Sequence, residues 1–138
     1  MEYSIDTNSK RVDAELVYQF LKEESYWAKD RSFQEVKKSL DHSLCFGLYK
    51  NNKMVGFARV VTDFTVFAYL ADVFIIRQER ANGLGKTLVE FILETPSIKN
   101  VKRWMLGTMD AHELYRPYGF SEVVNPKRWM ERLACNGF

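Results

Sequence analysis

A chain of 138 residues fits one domain, residues 1–138, long enough to bury a core without disulfides or metal. Its 46% apolar and 28% charged residues match a globular protein in water, and 14% aromatics point to a core or pocket rich in rings. Twenty basic against 18 acidic side chains leave a net charge of +2, with no clustered basic face to argue for nucleic acid.

The two cysteines, Cys45 and Cys135, and the two histidines, His42 and His112, lack metal-ligand spacing, so no metal site is expected. Cys45 lies in an apolar run and reads as a small buried hydrophobe. Without an N-terminal signal or a long apolar span, neither secretion nor membrane insertion is expected, and a cytoplasmic location follows by default.

Tyr3 to Asp6 reads as a short strand. Asp13 then precedes Leu16, Val17, Phe20 and Leu21 at helical spacing. Tyr26 and Trp27 lie in an aromatic loop, after which Ser32 and Glu35 form a capping box and open a helix with Phe33, Val36 and Leu40 on one face. Leu44–Tyr49 and Met54–Val61 read as strands of a hairpin turned at Asn51-Asn52, because asparagine tolerates positive φ. Phe67 to Ile76 is apolar apart from Asp72, the mark of a central strand covered on both faces.

Gly85 to Glu94 is helical and stopped by Pro96, and Arg103–Thr108 is a further strand. Asp110 and Glu113 suggest a second capping box, opening a last helix ended by Pro117 and Gly119. Phe120–Val124 and Trp129–Leu133 read as closing strands. The order β-α-α-β-β-β-α-β-α-β-β, without linker or repeat, predicts a mixed α/β domain.

Between the buried strand and its helix lies Arg80-Ala81-Asn82-Gly83-Leu84-Gly85-Lys86, followed by Thr87. Glycine lets backbone approach a ligand, and a helix start presents N–H groups and a dipole that favour an anion such as phosphate. Arg80 and Lys86 add positive charge at the rim. A Walker A loop fails because Arg80 stands where its first glycine belongs. A dinucleotide fingerprint fails because Leu88 replaces the third glycine. The pattern Gln/Arg-x-x-Gly-x-Gly/Ala is met in full by Arg80, Gly83 and Gly85.

That pattern resembles the pyrophosphate loop of the GCN5-related N-acetyltransferases (GNAT). The strand before it, the helix after it and Tyr115-Arg116-Pro117-Tyr118-Gly119-Phe120 follow the family's order, most closely between residues 67 and 120. The resemblance implies a central twisted mixed sheet of about six to seven strands flanked by about four helices. It implies acetyl-CoA as co-substrate, its pantetheine arm along the backbone of Val73, Phe74, Ile75 and Ile76. The pyrophosphate would rest on N–H groups from Ala81 through Asn82, Gly83, Leu84 and Gly85 to Lys86. Asp110 reads as a helix cap with a secondary role at the cofactor, and relatives of this kind are often homodimers.

The family's last helix usually carries a tyrosine four residues before a glycine, here Tyr115. Its phenol would protonate the departing thiolate, since thiols at about 8.5 and phenols at about 10 are not far from matched. Tyr118 competes for the role, and Pro117 departs from the usual family residue. Asp72, or water, would take the proton of the attacking ammonium, and burial is expected to raise Asp72's pKa. Polyamine acetyltransferases are similar in this strand but carry Glu-Asp where this chain has Ala71-Asp72, which argues against a polyamine. Tyr26 and Trp27 would bound the acceptor amine or plug the core. The expectation is transfer of an acetyl group to the primary amine of a small molecule. Acetylation of a protein or peptide amine, a catalytically weak CoA-binding sensor domain and a nucleotide-binding module stand as alternatives.

Overall fold

The computed structural model describes residues 2–134. Five strands, β1 (Tyr3–Asp6), β2 (Leu44–Lys50), β3 (Lys53–Thr62), β4 (Phe67–Ile75) and β5 (Arg103–Leu106), form one sheet in chain order. Neighbours run antiparallel except β4 and β5, which are parallel. A parallel pair needs a crossover, and α3 (Leu84–Glu94) supplies it.

The helices cover both faces, as the apolar run in β4 requires. On one face α1 (Ala14–Glu24) and α2 (Phe33–Asp41) place Val17, Phe20, Leu21, Val36 and Leu40 against Phe57 and Phe74. The rings of Phe20 and Phe74 stack at 4.0 Å. On the other face Leu88, Val89 and Ile92 of α3 pack on Phe46, Val60 and Leu70.

Local signals explain most element ends. Asp13 Oδ1 accepts the Leu16 N–H at 3.0 Å and starts α1. Both bonds of the Ser32–Glu35 capping box are present, at 3.1 and 2.8 Å. Asn51 and Asn52 have φ of 52° and 68°, the positive pair that a two-residue hairpin turn demands.

Three expectations fail at the C-terminal end. Asp110 caps nothing: Ala111 is the N-cap residue of α4 (His112–Tyr115), without a side-chain cap of its own, and its N–H bonds to Thr108 Oγ1 at 3.0 Å. The stretches 120–124 and 129–133 form no strand, so among the described residues the sheet has five strands rather than six or seven. Valine and tryptophan favour strands only where a partner pairs with them, and here Val124 and Met130 stay 88% and 95% exposed. Pro126, with no N–H to give, opens a 3-10 turn over Pro126–Arg128 between the two stretches. Cys135 lies outside the described residues.

Removing the Ser32 hydroxyl orphans the Glu35 N–H at the start of α2. Ser32→Ala should lower stability by about 1 kcal/mol, within the range for lost N-caps, read as a shift in the urea midpoint at unchanged slope.

Candidate active site

Strand β4 does not run straight. Ladder partners step from Phe57↔Phe74 to Arg59↔Ala71, leaving one extra residue in β4. Asp72 adopts φ of 55°, the left-handed region that aspartate tolerates better than most residues. The bulge switches the alternation of faces. Ala68 and Leu70 belong to the α3-side cluster, and beyond Asp72 so do Val73 and Ile75, while Phe74 and Ile76 turn to α1 and α2.

The parallel pairing of β4 with β5 covers only Phe67–Leu70 against Arg103–Leu106. Past Leu70, β4 continues without a ladder partner on that edge among the described residues, and the strands part. A cleft of about 350 Å³ opens there, walled by Ala71, Asp72 and Val73 of β4, by Gly107 and Thr108 after β5, and by Tyr115. Tyr26, Trp27 and Arg31, from the α1–α2 connection, form its outer wall, and Asp110 also lines it. A larger cleft of about 520 Å³ lies between β5 and residues 119–124 and shares Tyr115 with the first.

The Asp72 carboxylate is buried at the centre of this region. It accepts hydrogen bonds from Arg59 Nε at 2.8 Å, from Trp27 Nε1 at 2.8 Å and from Arg31 Nη1 at 3.1 and 3.0 Å. Arg59 reaches on to Ser43 Oγ at 3.1 Å. Burial alone would raise the pKa of Asp72, as expected from the sequence. The guanidiniums of Arg59 and Arg31 and the Trp27 N–H outweigh it, and the net shift is downward. That corrects the expected rise of the Asp72 pKa: a carboxylate held below its ordinary range, with both oxygens bonded, is a poor proton acceptor. Arg31 and Arg59 were not singled out from the sequence, although an arginine within the apolar run of β3 mirrors the aspartate within β4.

The aromatic loop is fixed at two points. Trp27 is tied to Asp72, and the Tyr26 hydroxyl accepts the Met109 N–H at 2.8 Å, joining the loop to the segment after β5. The two rings meet edge to face at 5.0 Å. Tyr115 sits under them, 7% exposed, with Phe120 edge-on at 5.9 Å. Burial, with a smaller contribution from Tyr26, pushes its phenol up to about 12. Tyr118, the competing tyrosine, donates its hydroxyl to Glu90 at 2.7 Å. Pro117 ends the α-helical turn of α4, and Arg116–Tyr118 continue as 3-10.

The glycine-bearing loop leaves β4 at Ile76. Glu79 anchors its entry, accepting Tyr3 Oη at 2.7 Å and pairing with Lys50 at 3.2 Å. Arg80 folds back, its Nε on the Ile75 carbonyl at 3.0 Å and its guanidinium 3.7 Å from Glu24. Ala81 and Gly83 both have positive φ, 70° and 73°, so the chain turns sharply twice before α3. Gly83 is the N-cap of α3 and offers no side chain to its first N–H groups, while Thr87 turns its hydroxyl back onto the Gly83 carbonyl at 3.1 Å. A Cβ at Gly83 would meet nothing within 4 Å, and one at Gly85 only Leu114 at 3.8 Å. Within this loop, only the φ of Gly83 demands glycine, and the space before α3 is open to a ligand.

The family model for acetyltransferases of the GNAT family matches residues 14–120, the span from the start of α1 to Phe120, just past the 3-10 turn Arg116–Tyr118. The chain belongs to the GNAT acetyltransferase family. A crystal structure of a protein belonging to the GNAT family from Xanthomonas campestris pv. campestris superposes with a TM-score of 0.93 at 37% identity, covering 96% of this chain and 94% of that one. A Clostridium acetobutylicum protein, crystallised with acetyl-CoA, has the same fold, with a TM-score of 0.67 at 16% identity over 96% of this chain and 95% of that one. A Gibberella zeae protein named as an acetyltransferase is 28% identical over 109 residues, 65% of this chain. The chain spans 62% of that relative's length. Among the described residues no helix is long and apolar enough to cross a membrane, and no group of side chains could hold a metal ion.

Asp72 offsets two guanidiniums, so Asp72→Asn leaves both without a counter-charge. Unfolding free energy should fall by about 3–5 kcal/mol, the usual cost of breaking a buried pair from one side. Because its folded pKa is depressed, Asp72 contributes fully above the unfolded value of about 3.9 and progressively less as pH falls below it. Urea titrations of the two proteins should therefore differ most near neutrality and converge in acid. A constant difference down to pH 2 would contradict the ion-pair account.

Proposed function

We propose that the protein is an N-acetyltransferase that moves an acetyl group from acetyl-CoA to the primary amine of a small molecule, by direct attack in a ternary complex. The observation that carries this reading is the parting of β4 and β5 at the Asp72 bulge, with the α3 N-terminus at one end and Tyr115 at the other. An extended pantetheine arm can add to the open edge of Val73, Phe74 and Ile75 as a further strand would. The pyrophosphate then reaches N–H groups of Gly83, Leu84, Gly85 and Lys86, where the helix dipole favours negative charge. Ala81 and Asn82 shape the approach, and Ile76 and Thr87 hold the two ends of the loop. Arg80, turned onto Ile75 and Glu24, acts more on loop shape than as a free phosphate ligand. The acetyl-CoA carried by the C. acetobutylicum protein of the same fold supports the choice of co-substrate.

Acetyl-CoA supplies the activated thioester. In the cleft the amine nitrogen adds to the carbonyl carbon, the C–S bond breaks, and the thiolate departs. Tyr115 is the donor that meets this sulfur. With its phenol at about 12 it remains protonated throughout the working range. Its distance from an ordinary thiol near 8.5 is about 3–4 units, or about 5 kcal/mol, so complete transfer of the phenol proton is unfavourable even to the free thiolate. Tyr115 therefore stabilises the developing thiolate by hydrogen bonding and keeps its own proton, while the second amine proton, shed as the amide forms, reaches sulfur through water. The ammonium proton leaves to water in the open cleft, since Asp72 is fully engaged. Tyr26 and Trp27 hold the acceptor against the thioester, and much of the acceleration comes from that positioning.

Tyr115→Phe keeps the ring and removes only the donor. It should lower kcat about 10²–10⁴-fold, the range for a positioned acid, while calorimetry shows unchanged acetyl-CoA affinity. Wild-type thiol release should show no loss of rate from phenol ionisation below about pH 10, two units short of its pKa. Folded wild-type protein that gives no heat with millimolar acetyl-CoA would overturn the reading outright.

A further inference from the structure

Two cations and one anion meet under the cleft. Arg31 and Arg59 both pair with Asp72, and among the described residues neither has another ion-pair partner. Asp41, the nearest other acid on α2, is engaged with Lys37 at 2.8 Å. The cluster therefore keeps one positive charge in excess. Arg59 is shut in, with its side chain 11% exposed, whereas Arg31 is 27% exposed and lines the cleft. Arg31 uses only Nη1 on Asp72, and its Nε and Nη2 make no hydrogen bond to a described residue. A guanidinium fixed on one edge and open on the other is pre-organised for an oxyanion, which it can take with two parallel N–H bonds. Across the same cleft, Asp110 forms no ion pair among the described residues, so the lining offers a carboxylate as well.

We infer that the acceptor is an amine that also carries an oxyanion, a carboxylate or a phosphate, and that Arg31 binds that group while the amine faces the thioester. This rests on the acetyl transfer proposed above and adds the class of acceptor. A surplus guanidinium repels diamines and polyamines, while a zwitterion matches both Arg31 and Asp110. Arg31 is thus a specificity residue: it contacts the part of the acceptor that does not react.

The test is thiol release from acetyl-CoA with amines that differ in their second group: β-alanine (carboxylate), phosphoethanolamine (phosphate), propylamine (none) and putrescine (cation). Wild-type protein should favour one of the first two over propylamine by about tenfold or more in kcat/KM, as a charge-assisted hydrogen bond provides, with putrescine last. Whether β-alanine or phosphoethanolamine leads identifies the oxyanion. Arg31→Gln should raise KM for the oxyanion-bearing amine about tenfold or more beyond any change in propylamine's KM. Arg31→Lys should restore part of the loss. Equal wild-type kcat/KM across the charge classes would overturn the inference alone, as would an equal rise in KM for propylamine. If Arg31→Gln does not fold, the wild-type ranking and Arg31→Lys decide. Acetyl-CoA binding without transfer to any of the amines would overturn the transferase reading and this inference together.

Discussion

A carboxylate in the middle of an apolar strand sets the geometry from which everything else follows. Asp72 occupies a left-handed backbone conformation inside β4, and its side chain collects Arg59 from the neighbouring strand with Arg31 and Trp27 from the α1–α2 connection. Without those partners a buried carboxylate would be neutral or displaced. With them it fixes the position of the bulge. Because the bulge shifts the face alternation by one residue, Phe74 stacks on Phe20 while Val73 and Ile75 stay on the α3 side. A straight β4 would present the opposite set to each layer, and the core on one side would lose its central ring.

The same distortion exposes main chain where a ligand can use it. β5 is only four residues long and turns away after Leu106, so among the described residues the β4 edge beyond Leu70 has no ladder partner. Unpaired strand edges are usually a hazard that proteins cover. Here the α1–α2 connection roofs the opening: Tyr26 is bonded to the Met109 backbone on one bank and Trp27 to Asp72 on the other. The two aromatic residues brace the banks at a fixed width. The aromatic loop, the bulge and the α4 tyrosine thus behave as one assembly, although 89 residues separate Tyr26 from Tyr115 in the chain.

Local signals in the sequence were readable because their physics is local. The Ser32–Glu35 box, the Asn51-Asn52 turn and the glycine-led start of α3 each concern residues within a few positions, and each lies where the pattern placed it. The bulge was not readable: an uninterrupted apolar run has no alternation in which a change of phase could show. Nor was the pKa of Asp72. The sequence shows its apolar neighbours, which push the value up, but its cations lie 13 and 41 residues away and act only through the fold. Arginine within β3 could have signalled the pair, because adjacent strands that each carry one opposite charge are natural partners. At the C-terminal end, β-prone residues misled because propensity does not include the availability of a partner strand.

One consequence concerns the division of labour among charges. Asp72 is the only acid in its strand, yet the groups that lower its pKa are the groups that fix the bulge. A carboxylate cannot be both a tightly bonded anchor and a ready proton acceptor: each hydrogen bond that stabilises its charge makes protonation harder. Tyr115, buried with its phenol raised to about 12, keeps its proton by the opposite route, desolvation without a neighbouring cation. The buried carboxylate and the buried phenol thus hold opposite protonation states by opposite means, the one charged through its cations and the other neutral through desolvation.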